Sequence, residues 1–74
     1  MTRLAATPFD ICVNGTPESL TEPLTVAALL VQRGLAGKRV AVERNGEIVP
    51  KSLHATTELR PNDSLEIVVA VGGG

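Results

Sequence analysis

Apolar and polar residues alternate over Phe9-Asp-Ile-Cys-Val13, which sets Phe9, Ile11 and Val13 on one face and predicts a first strand. Asn14-Gly15 follows, a dipeptide suited to a tight hairpin turn, so a second strand is expected around Glu18 to Leu20. Glu22-Pro23 leads to a helix capped by the Thr25 hydroxyl, in which Val26, Leu29 and Leu30 lay one apolar stripe at i, i+3, i+4 spacing. Gly34 is placed to end that helix and Leu35 to cover its end.

Val40-Ala-Val-Glu-Arg44 reads as a strand with Val40 and Val42 inward, followed by a second Asn-Gly turn at Asn45-Gly46 and a short strand over Glu47 to Val49 that Pro50 stops. Lys51 to Arg60 has no sustained period and predicts a connection with a short turn of helix. Pro61-Asn62-Asp63 turns the chain into the most hydrophobic stretch, Ser64 to Val71. There Leu65, Ile67, Val69 and Val71 share one face and Glu66, Val68 and Ala70 the other. A strand apolar on both sides belongs in the middle of a sheet, covered on one face and partly covered on the other. The first strand, with its own inward apolar set, is its expected neighbour. One helix can cover one sheet face, so the pattern predicts an α+β domain: a mixed sheet of four to five strands wrapped around a single helix.

Composition narrows the functions open to such a domain. The 74 residues make room for one small domain and little for a pocket that encloses a substrate and a cofactor together. Self-contained catalysis is therefore not expected. The net charge is -1 and Phe9 is the only aromatic residue, which argues against nucleic-acid binding. A lone cysteine and a lone histidine, Cys12 and His54, make neither a disulfide nor a metal cluster. No stretch has the length of a secretory signal or a bilayer span, so a cytoplasmic, non-membrane protein is expected.

The chain ends in Gly72-Gly73-Gly74 directly after its strongest strand. Residues 1–8 are expected to be an N-terminal extension with a frayed end, 9–71 the folded domain, and 72–74 a flexible tail whose reactive group is the Gly74 carboxylate. Extended, Val71 to Gly74 reaches about 13 Å at ~3.3 Å per residue, enough to enter another protein's cleft. A tail without Cβ atoms fits a channel that a side chain would block.

Val13-Asn14-Gly15, Val40-Ala41-Val42, Asn45-Gly46-Glu47-Ile48-Val49-Pro50, Asn62-Asp63 and Glu66-Ile67-Val68 through Ala70-Val71-Gly72-Gly73-Gly74 stand in one order. Together they resemble ThiS, the sulfur carrier family of thiamine biosynthesis. Three features depart from the family pattern: the extension Met1 to Pro8, Arg44 where an apolar residue is common, and Asn62 in place of a frequent turn glycine. The resemblance implies a ubiquitin-like β-grasp fold. It also implies a partner similar to ubiquitin-activating enzymes that adenylates Gly74 with ATP and magnesium, neither of which this chain binds itself. Sulfur from a persulfide donor then leaves a thiocarboxylate on Gly74, which thiazole synthase receives. Gly72, Gly73 and Gly74 would enter the partner active sites. Related carriers feed molybdopterin or cysteine synthesis, ubiquitin-like modifiers conjugate such a glycine to lysines, and a non-covalent module with an inert tail is the remaining reading.

Other residues invite a role and are given smaller ones. Cys12 sits inside a strand without a neighbouring cation to activate its thiol, and is read as a small packing residue. By parity, Cys12, Ala41, Val68 and Ala70 are candidates for a shallow apolar patch beside the tail where a partner docks. His54 is read as a solvated or capping residue with no chemical role, and Lys38, Arg39, Arg44 and Lys51, interspersed with Glu43 and Glu47, as solvated surface.

Overall fold

The structure is a computed structural model that describes residues 8–70; residues 1–7 and 71–74 lie outside the described part. Five strands and one α-helix follow one another as β1 (Phe9–Val13), β2 (Thr16–Leu20), α1 (Val26–Gln32), β3 (Val40–Arg44), β4 (Glu47–Ile48) and β5 (Ser64–Val69), with a 3-10 turn at Lys51–Leu53 between β4 and β5. They form one sheet in the order β2-β1-β5-β3-β4. β5 is the middle strand, parallel to β1 and antiparallel to β3, which makes the sheet mixed as expected. The ubiquitin-like β-grasp follows from this order: one helix crosses one face of a sheet whose first and last strands lie side by side.

Both hairpins turn where the Asn-Gly pairs predict. Asn14 and Gly15 have φ of 52° and 81°, and Asn45 and Gly46 have 53° and 86°. Two successive positive φ values give the turn whose twist matches paired strands, and asparagine followed by glycine tolerates it. β2 begins two residues earlier than expected, directly after its turn, and takes in Pro17. An edge strand tolerates a proline because one side of its backbone has no ladder to serve.

α1 is closed at both ends. Thr25 Oγ1 accepts from the Ala28 amide at 3.1 Å, while the amides of Val26 and Ala27 donate to the carbonyls of Thr57 and His54 at 2.9 and 2.8 Å. The free donors of the first turn are thus taken by the chain itself. At the other end Gly34, at φ 72°, donates to Val31 O, and Leu35 donates to Leu30 O. This pair of bonds is the Schellman arrangement that glycine favours, with Leu35 folded back on the core as predicted.

Val26, Leu29 and Leu30 of α1 are buried against Ile11, Val13, Val42, Leu65 and Ile67 of the sheet. Along the inward row of β5 this cover thins toward the chain end: Leu65 is 1% exposed, Ile67 7% and Val69 40%. On the opposite face Val68 is 63% exposed, so the partial cover expected there is missing among the described residues. The reason is simple: the single helix is spent on the other side.

Candidate functional site

The tail residues Gly72, Gly73 and Gly74 lie outside the described residues, so the structure speaks to the tail's root and its surroundings. Ala70 donates its amide to Arg39 O at 2.8 Å, which carries the β3–β5 ladder one step beyond the assigned strand and fixes the backbone up to the point where the tail begins. The root is thereby held on the middle strand of the sheet.

Two surfaces meet at this root. On the open face, Ala41 and Val68 stand directly opposite each other in the β3–β5 pair, and both are exposed, as is Ala70. The next outward pair along the strands is Glu43 opposite Glu66. Like charges in directly opposed positions repel, so this pair contributes nothing to the sheet's own stability. Ile48, opposite Glu43 in β4, is also exposed.

Of the four residues expected to form one apolar patch, Ala41, Val68 and Ala70 are brought together and Cys12 is not. Cys12 shares the open face but pairs with Ser64 at the start of β5 and with Pro17 of β2. Four residues of strand separate that position from Val68, about 13 Å at ~3.3 Å per residue, with Glu66 between. Parity predicted the face correctly; the parallel register decides the distance.

On the helix side of the root, a groove of about 470 Å³ runs between α1 and the connection into β3. Leu30, Val31, Leu35 and Val40 supply apolar surface, and Lys38, Arg39 and Lys51 line it as well. Ala70 borders it.

The charged and polar side chains elsewhere correct two expectations. Arg44 is not simply solvated: its Nε donates to Asp63 Oδ2 at 2.8 Å. Asp63 is only 5% exposed and also accepts from Asn45 Nδ2 at 3.0 Å and from the Arg60 amide at 2.8 Å. Burial alone would raise the Asp63 pKa, but the hydrogen bonds from Arg44, Arg60 and Asn45, with the Arg44 charge, outweigh it and hold the carboxyl below its ordinary value. His54 is buried, not solvated, with Nε2 3.0 Å from Val49 O; its capping contribution comes from the backbone carbonyl that receives the Ala27 amide. A carbonyl can only accept, so Nε2 carries the hydrogen. These groups tie the β3–β4 turn and the connection before β5 in place. Among the described residues, no three His, Cys, Asp or Glu side chains are grouped to hold a metal, and no helix is long and apolar enough to cross a membrane.

The model of the ThiS family matches residues 11–74, from the third residue of β1 through the three terminal glycines. The chain belongs to the ThiS family. A protein called ycf40 in Pyropia yezoensis, itself uncharacterized, is 38% identical over 66 residues that cover 89% of this chain and 93% of its own. A thiazole synthase of Paramagnetospirillum magneticum is 45% identical over 66 residues, again 89% of this chain, but the match takes up 20% of that protein. This ThiS-family chain thus spans about a fifth of the length of such a relative. The crystal structure of a thiamine biosynthesis protein (ThiS) from Geobacter metallireducens superimposes with a TM-score of 0.75 at 32% identity, covering 89% of this chain and all of the other. The β-grasp that the resemblance implied is therefore the fold of a solved ThiS.

Proposed function

We propose that this chain carries sulfur for the synthesis of the thiamine thiazole, as a co-substrate of partner enzymes with no catalytic machinery of its own. The Gly74 carboxylate is a poor electrophile, because its charge is delocalised and oxide is a bad leaving group. A partner enzyme joins it to AMP at the expense of ATP, with magnesium, and releases pyrophosphate. The terminal sulfur of a persulfide then displaces AMP to give an acyl disulfide, a thiol reductant cleaves its S–S bond, and the resulting thiocarboxylate donates its sulfur to thiazole synthase. The folded part positions the tail: Ala70 is anchored on the middle strand, and Ala41, Val68 and Ala70 offer an exposed apolar surface at its root.

The observation that carries this reading is the family match running through Gly74, joined to a relative in which the matching stretch, 45% identical over 66 residues, makes up 20% of a thiazole synthase. A carrier built into the polypeptide that uses its cargo is at high effective concentration for it, which is what a transient delivery contact needs. The test is recovery of thiazole synthase on the immobilised full chain, together with loss of thiamine-independent growth when Gly73 and Gly74 are deleted. Recovery of only a molybdopterin-synthase large subunit would assign the sulfur to a different product, and isopeptide-linked species in place of a free thiocarboxylate would make the chain a modifier.

A further inference from the structure

We propose that the groove on the helix side of the tail root is a second docking site, which takes an acidic segment of thiazole synthase carrying an aliphatic side chain. The proposal rests on the carrier reading and adds to it a surface away from the open sheet face. The groove's volume, about 470 Å³, is within the ~300–1,000 Å³ of clefts that bury a ligand. It exists because the chain turns away at Gly34 and Gly37, both at positive φ, before entering β3. Val31 is 62% exposed on α1, one position beyond the buried Leu30 and off the stripe that faces the sheet.

Charge selects the occupant. Lys38, Arg39 and Lys51 line the groove and no carboxylate does. The ion pairs among the described residues are Arg33 with Glu18 and Arg44 with Asp63, so the three groove cations are neutralised by neither. A partner seated over the groove must therefore offer carboxylates. Charge complementarity of this kind contributes more to orientation and encounter than to raw affinity.

Thiazole synthase is the enzyme chosen because a relative carries this chain's counterpart within its own length. Binding of the full-length chain to thiazole synthase from the same organism would be measured by calorimetry at low and high salt. Two variants address the groove: Lys38→Glu combined with Arg39→Glu, and the charge-neutral Val31→Gln. Both alter exposed side chains, and an unchanged melting temperature checks that the fold is kept. The expected result is at least tenfold weaker binding for each, with the salt dependence of the wild type reduced in the charge-reversed protein. Unchanged affinity in both variants, alongside weakened binding of Val68→Asp, would overturn the groove proposal and leave the carrier reading standing. Weakening confined to the adenylating partner would overturn the choice of occupant. A wild-type chain that binds no thiazole synthase at all would overturn both.

Discussion

Asn14 uses its side-chain amide as a piece of strand: Oδ1 accepts from the Ile67 amide at 2.8 Å and Nδ2 donates to the Ile67 carbonyl at 3.2 Å. The backbone of β1 has already turned away at this point, since Asn14 is the first residue of the hairpin turn at φ 52°. The middle strand would otherwise face an empty position on its β1 side. One side chain therefore does two things at once, letting the backbone turn and continuing the parallel ladder toward the tail root.

Replacing Asn14 by glycine keeps the turn and loses the two ladder bonds, whereas alanine loses the bonds and is also forced to positive φ. Chemical denaturation should show Asn14→Gly destabilised by about 1–3 kcal/mol, from the unpaired groups on Ile67. Asn14→Ala should be worse by about a further 1–2 kcal/mol, the usual cost of a left-handed residue with a Cβ. Equal losses in the two variants would mean that the φ at this site carries no strain.

The Asp63 carboxylate makes stability depend on pH. Its pKa is lowered in the folded chain, so the stabilisation is present above the unfolded value of about 3.9 and is lost as pH falls through the lower folded value. Asp63→Asn should be destabilised by about 2–3 kcal/mol at neutral pH, because Arg44 and the Arg60 amide lose a charged acceptor. The gap between wild type and variant should close in acid, where the wild-type carboxyl is itself protonated. Melting curves at neutral pH and below pH 3 check this, and a gap that stays constant would show that the charge is not what Asp63 contributes.

Val68 is 63% exposed in the middle of the sheet, so the fold does not need its side chain there. Val68→Asp should leave the melting temperature nearly unchanged and weaken binding to thiazole synthase at least tenfold, as an aspartate would have to be desolvated against an apolar contact beside Glu43 and Glu66. Binding measured beside a thermal scan separates the two effects. Intact affinity would remove the open face from the docking surface.

How much of this was legible in the sequence depends on how far apart the interacting residues lie. The Asn-Gly turns, the Thr25 cap and the Gly34 stop are set by neighbours within a few positions, and all appear where the pattern predicts. The centrality of β5 was readable because its apolar residues occupy both parities. The partners of Arg44 and Asp63, 19 residues apart, and of Asn14 and Ile67, 53 apart, depend on which strands become neighbours and in what register. Periodicity does not encode register, which is also why Cys12 was grouped with Val68 on the correct face at the wrong distance. Pairing with a buried aspartate explains how the charged Arg44 is accommodated on β3. Burial of His54 left no local sign, since its acceptor is the backbone of Val49.

The carrier reading stands on chemistry at one atom, and intact-mass analysis of the full chain, incubated with its adenylating partner, ATP, magnesium, a persulfide source and a thiol reductant, tests it most directly. The account predicts replacement of one oxygen by sulfur, located at Gly74 by fragmentation and lost again on incubation with thiazole synthase and its small-molecule substrates. A mass that stays unchanged while the same enzymes load a ThiS protein of known activity would contradict it.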